Sequence, residues 1–294
     1  MRSPVKSSIF VVLVIFIAAV TSGVSYSQKK SRGKLPKGAV TLEYNFPENL
    51  PISYLSSTRV IQTMEIDGQT MQANVIADFG CTVKATGKQE GNLKLEIRVD
   101  TMYRNVDTPQ GSSGGAVKEV QGKVFTMILS PLGSEVDLTE AEKITFSFKG
   151  SSETSLAQSF VNYFPKLPKK SIKPGDTWIT NDTIESKSPE TIIKSIIKAV
   201  KKFEGIEQVD GVECAKITAI LTGTRVQKAQ SMGMDILTEG SFSGTEKLYF
   251  ATKAGFFIKQ VDSTRMNGNM TIQGEQEMSF PLVQDLVSTN AIRK

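Results

Sequence analysis

Histidine is absent from the 294 residues. That excludes Ser-His-Asp and Cys-His machinery, imidazole general bases and most transition-metal sites. Cysteine occurs twice, as Cys81 and Cys214. The pair either forms one disulfide or stays as two free thiols buried in strands. A bond would close a loop of over a hundred residues, worth about 4–5 kcal/mol by loop entropy. Spacing alone does not show whether the two Cβ atoms approach. Tryptophan occurs once, as Trp178. Charge of a single sign is also lacking, with 35 Lys and Arg against 30 Asp and Glu, a net of +5. The basic residues fall in two short clusters, Lys29/Lys30/Arg32/Lys34/Lys37 and Lys166/Lys169/Lys170/Lys173. Neither has the interleaved aromatics of a single-strand binder, so both read as solvated segments and no nucleic-acid partner is expected.

What is present is a globular composition, 39% hydrophobic and 22% charged. It is preceded by a distinct leader. Arg2 and Lys6 stand before the twelve-residue apolar run Ile9–Val20, and Ser25-Tyr26-Ser27 offers a small-x-small cleavage site. Residues 1–27 therefore read as a secretory signal peptide, the apolar run being short for a membrane span. Removing them takes Arg2 and Lys6 away and lowers the net charge from +5 to +3. No cysteine near the site could accept a lipid. The expected product is exported, periplasmic or extracellular.

Residues 28–38 read as a flexible lead-in, and 39–164 as a first β-rich half. Val40–Phe46 alternates like a half-buried strand. Asp67-Gly68 between two β-prone runs, Glu90-Gly91 and Asp210-Gly211 are hairpin signals. Thr108–Gly115 (TPQGSSGG) reads as a flexible hairpin loop. Leu156, Phe160 and Phe164, at a spacing of four ahead of Pro165, predict a short amphipathic helix over Ser152–Phe164. Thr191–Phe203 carries a helical apolar face, yet Asp210-Gly211 demands a β partner upstream of Gly205, which favours a strand. Residues 178–284 form a second β-rich half, with final strands at Gly240–Phe250, Phe256–Thr264 and Asn269–Phe280, and 285–294 read as a polar tail.

The halves meet at a proline-stiffened connector, residues 165–177, with Pro165, Pro168 and Pro174. Lys173-Pro174-Gly175-Asp176 fits a type II turn, with Trp178 in the strand start that follows. Trp178 either anchors that strand to the core or offers a platform to a carbohydrate or lipid. QEGNLKLEI resembles VDGVECAKI, and GKVFTMILSPLGSEVDL resembles GTEKLYFATKAGFFIKQVD, as in a diverged duplication. LPKGAVTLEYNF, FPKLPKKSIKPGDTW, VDGVECAKI and GTEKLYFATKAGFFIKQVDS together resemble an uncharacterised family of exported bacterial envelope proteins, over roughly residues 35–282. The resemblance implies a secreted, antiparallel β-rich protein of two similar halves and supplies no catalytic residues. Many such relatives carry a lipidation Cys at the cleavage site; this chain does not.

The expected fold is mainly β: curved antiparallel sheets in two similar halves with one short amphipathic helix, half-barrel-like. Three functions follow. A non-enzymatic envelope carrier would hold an apolar small molecule or lipid against inward residues such as Met102, Tyr103, Phe125, Met127, Phe256 and Phe257. A structural or interaction module would bind another envelope protein through a sheet edge or apolar patch. An enzyme would need a Ser-Lys dyad or a carboxylate pair. No catalytic, cofactor-binding or metal constellation stands out, and a non-enzyme is expected.

Overall fold

The computed structural model describes residues 38–66, 68–148, 153–188, 190–231, 233–273 and 277–293. The expected signal peptide over 1–27 lies outside the described residues. So do all but the last residue of the lead-in 28–38, Asp67 of the first hairpin turn, and Ser152 at the expected helix start.

The chain runs β1 (Ile52–Ile66), β2 (Gln69–Gln89), β3 (Asn92–Thr108), β4 (Gly111–Ala116), β5 (Val124–Leu129), β6 (Glu135–Asp137), β7 (Thr145–Phe146) and β8 (Thr154–Ser155). After the connector come β9 (Thr177–Ser188), β10 (Thr191–Val209), β11 (Val212–Ser231), β12 (Met234–Ala251), β13 (Phe256–Gln273) and β14 (Met278–Ile292). Twelve of them build one antiparallel sheet in the order β6-β5-β3-β2-β1-β14-β13-β12-β11-β10-β9, with β4 beside β3; β7 pairs with β8. The path does not return on itself, so the curved sheet is an open half-barrel and not a closed one. Both halves contribute to this one sheet, joined where β1 pairs with β14.

Local chemistry explains the long ribbons. Asp210 and Gly211 (φ +50° and +82°) form a primed two-residue turn that sets Val209 opposite Val212. That register makes Thr191–Phe203 part of β10, as the hairpin argument required. Glu90 and Gly91 do the same between β2 and β3. Register shifts at Gly80/Cys81, Ala85/Gly87, Phe203/Gly205 and Tyr249/Phe250 fall near one end of the sheet, where bulges bend the strands around a plug.

That plug is aromatic. Phe160, Tyr163 and Phe164 are buried with Tyr44, Phe46, Tyr54, Phe250 and Phe257 in a core drawn from both halves. Tyr54 stacks on Phe257 at 4.5 Å, and Phe164 meets Tyr44 edge-on at 5.8 Å. Burial raises the pKa values of Tyr44, Tyr54 and Tyr163. The Tyr44 and Tyr54 hydroxyls donate to the carbonyls of Pro165 and Phe257, at 3.0 and 2.9 Å.

Five expectations need correction. Over the described part of the expected helix, 153–164, no α-helix forms: Thr154–Ser155 is β8, Leu156–Ser159 is a single 3-10 turn, and Asn162 at φ +58° prevents continuation. Leu156, Phe160 and Phe164 are buried all the same, so their spacing reported burial and not helix; a separate four-residue helix covers Thr139–Glu142. Val40–Phe46 is extended but not a sheet strand. Val40 bridges Ile172, and the Tyr44 and Asn45 amides donate to Pro131 and Gly255 carbonyls, so Leu42, Tyr44 and Phe46 face the plug. Thr108–Gly115 is not a loose loop, because Gly111–Ala116 pairs with β3. A Cβ at Gly114 would come within 2.1 Å of the Arg104 carbonyl oxygen. The polar tail over 285–294 is largely strand: β14 runs to Ile292, paired with both β1 and β13. Likewise Asn269–Phe280 spans the end of β13 and the start of β14.

Candidate functional site

Side chains directly opposite each other in antiparallel strands share a face, so the registers trace rows across the concave surface. One row passes through Lys201, Ala219, Glu246, Asp262, Ser288, Thr58, Ala77 and Arg104. It is a polar belt just above the plug. Lys201 Nζ donates to Glu246 Oε1 at 3.2 Å, with both side chains nearly buried (8% and 11% exposed). Thr58 and Ser288 hydroxyls lie 2.8 Å apart, and the Arg104 guanidinium sits 5.1 Å from the Phe148 ring centre. Burial pulls the pKa of Arg104 below its ordinary value.

Beyond the belt the wall turns apolar, with Val60, Val75, Val106 and Leu286 forming one cluster and Ala199, Ala219 and Leu221 another. Further on, a methionine-rich cluster of Met64, Met71, Met266 and Met270 lines the far end of the concave face. Met packs adaptably against varied shapes. Between sheet and insertion a cavity of about 360 Å³ remains, within the range of small-molecule sites. Its walls come from both halves: Phe79 and Met102 on one side, Ile193, Leu221, Phe242 and Met266 on the other. Lys166 of the connector, paired with Asp182 of β9, stands at its margin.

Of the inward residues expected to hold a ligand, Met102 and Tyr103 line this cavity, Tyr103 being partly exposed. Phe125, Met127, Phe256 and Phe257 belong to the packed core. Cys81 and Cys214 are free and buried. The Cys81 thiol lies 3.3 Å from the Tyr163 hydroxyl, and Cys214 Sγ donates to the Val212 carbonyl at 3.5 Å. Burial pushes both thiols up to about 12, helped at Cys214 by the carboxylates of Glu207, Asp210 and Glu213. Neither thiol is poised as a nucleophile. In the connector, the Asp176 amide donates to the Lys173 carbonyl at 2.9 Å and Gly175 adopts φ +95°. The amide of Gly175, which follows Pro174, donates to Phe203 and stitches the turn to β10. Trp178 packs against the aromatic core.

Sequence reading passed over the interior charges. Lys201 sits in a lysine-rich run that reads as solvated, yet it shares strand parity with Ile193 and Phe203; Glu246 shares parity with Leu248 and Phe250. Parity against buried neighbours was the available signal. Among the described residues, no group of three or more His, Cys, Asp or Glu side chains could hold a metal ion, and no helix is long and apolar enough to cross a membrane.

Breaking the Lys201–Glu246 pair leaves an uncompensated buried carboxylate. Lys201→Met should therefore cost about 3–5 kcal/mol in urea unfolding, while the double variant Lys201→Met/Glu246→Leu recovers most of that loss.

No family model matches the chain and no curated protein matches its sequence, so the family resemblance rests on the residues that suggested it. Among solved structures, an outer membrane channel from Pseudomonas putida F1 aligns over 85% of this chain and 97% of its own, at 7% identity and TM-score 0.27. OccK2 (OpdF) from Pseudomonas aeruginosa aligns over 84% and 99%, at 8% identity and TM-score 0.26. A DUF1329 family protein from Desulfovibrio piger aligns over 79% and 83%, at 12% identity and TM-score 0.13. Likenesses this slight carry no argument about what this chain does.

Proposed function

We propose that the protein is an exported, non-enzymatic carrier of the cell envelope that binds an apolar ligand in its concave cavity. The carrying observation is the cavity itself. The aromatic core fills the plugged end, yet about 360 Å³ stays empty between apolar walls supplied by both halves. A partly open, largely apolar recess of this size on a concave face has the form of a small-molecule site and supports a ligand. Export rests on the leader over residues 1–27, and the non-enzymatic reading on the missing histidine and the unreactive thiols.

The test is native mass spectrometry of the protein purified from its own envelope, with uptake of the neutral dye N-phenyl-1-naphthylamine by solvent-extracted protein. The expected result is a retained mass that extraction removes and saturable dye uptake afterwards. Absence of both overturns the carrier reading.

A second reading, an interaction module, is favoured by the convex face near the open edge. Ile179, Val200 and Ile220 stand directly opposite one another on β9, β10 and β11, with Ile196 four residues along β10 on the same face, and are 40–63% exposed. β9 has an unpaired edge in the sheet. Edges and apolar patches of this kind invite a second chain, the simplest being another copy. Sedimentation should then show concentration-dependent association that Ile220→Lys removes. A monomer at every concentration contradicts this reading.

A further inference from the structure

Arg225 of β11 faces the cavity, one row set beyond the polar belt. Six residues separate it from Ala219 of that belt, about 20 Å along the strand. Its row passes through Ser195 on β10 and then through Gly240 and Gly268 on β12 and β13. Gly240 and Gly268 present no side chain to Arg225 along that row. From there it reaches across to β14, donating through Nη1 to Gln284 Oε1 at 3.4 Å and through Nε to Ser195 Oγ at 3.3 Å. Both partners are neutral and both bonds are long.

The other cavity cations are differently placed. Lys201 pairs with Glu246, Lys166 with Asp182, and Arg104 lies over Phe148. Among the described residues, no carboxylate stands within ion-pair distance of Arg225. Burial pulls its pKa below the ordinary value, but an arginine keeps its proton in proteins. Arg225 stays partly accessible from the cavity, and a partly desolvated charge met by neutral dipoles alone is under-compensated. It is a site that an anion would complete, and a planar guanidinium suits the oxygens of a carboxylate or phosphate. Below Arg225, toward the belt, the wall is mainly apolar, with Ile197, Leu221, Phe242, Met266 and Leu286; Thr264 lies among them, and Asp182, paired with Lys166, stands at the β9 margin.

Building on the carrier reading, we infer that Arg225 receives the anionic head of a single-chain amphiphile whose tail lies along the apolar wall between Arg225 and the Lys201–Glu246 pair. The head is a carboxylate or a phosphate monoester. Gln284 and Ser195, already in contact with the guanidinium, hold it in place for that head. The site thus selects for charge at one point and for apolar length along the rest.

The experiment is displacement of N-phenyl-1-naphthylamine from the extracted protein by four amphiphiles of one chain length: palmitate, hexadecyl phosphate, hexadecanol and hexadecylamine. Wild-type protein should take at least one of the two anions about tenfold or more tightly than hexadecanol, and hexadecylamine least well. The stronger anion identifies the head as carboxylate or phosphate. Arg225→Gln should bring both anions down to the level of hexadecanol, and Arg225→Lys should retain part of the preference. Equal displacement by anionic and neutral chains in the wild type, or an anion preference that survives in Arg225→Gln, overturns the assignment while leaving the carrier standing. Failure of the dye to enter wild-type protein, together with no retained mass in native mass spectrometry, overturns the carrier itself and this site with it. Should Arg225→Gln not fold, the wild-type headgroup ranking and its reduction in Arg225→Lys decide the matter.

Discussion

The pairing of β1 with β14 is the constraint on which the rest of this molecule depends. Eleven residue pairs, from Tyr54↔Ile292 to Met64↔Leu282, join the beginning of the described chain to its end. Without that seam the chain would be two meanders, β1 to β6 and β9 to β14, each with a long unpaired edge. Such edges are aggregation hazards. With it, both meanders become one sheet whose concave side encloses the insertion and the cavity. Closing a contact at this sequence separation costs chain entropy that no local interaction repays. The inner face at the seam compensates through Tyr54, Val60 and Met64 against Leu282 and Leu286, and through the buried Thr58–Ser288 hydroxyl pair.

The seam also explains why the interior is graded. A sheet that curls without closing needs something to hold its ends in register, and the aromatic insertion does this at one end. Tyr163 touches Cys81 on β2 and donates to Asn290 on β14 at 3.4 Å, so one side chain ties the plug to both sides of the seam. Past the plug, no comparable mass of side chains among the described residues fills the concavity. Polar pairs such as Lys201–Glu246 and Thr58–Ser288 are held in mutual contact there, because a buried donor or acceptor without a partner costs about 1–3 kcal/mol. The outcome is a surface that alternates polar rows with apolar bands, instead of a uniform core.

How much of this was legible beforehand follows from the range of each interaction. Two-residue turns are local, so Asp210-Gly211 announced its hairpin and thereby favoured a strand over the helical face of Ile192, Ile193, Ile196 and Ile197, and the β10–β11 register shows that strand. The mainly antiparallel β architecture followed from such turns and from alternation. The seam has no local signature. Ser288 and Asn290 face inward but are polar, so β14 looked like a solvated tail. Leu156, Phe160 and Phe164 match a helical period by accident of burial in a plug, where every apolar side chain is covered regardless of conformation. The cavity itself was not legible, since it is bounded by residues from nine strands of the large sheet and the insertion; of its inner charges, only strand parity gave a hint.

Scanning calorimetry of the mature protein tests the central claim most directly, because a shared sheet and a shared core must melt together. The seam predicts a single reversible transition with equal calorimetric and van't Hoff enthalpies. Two separable transitions, one for each half, would contradict it.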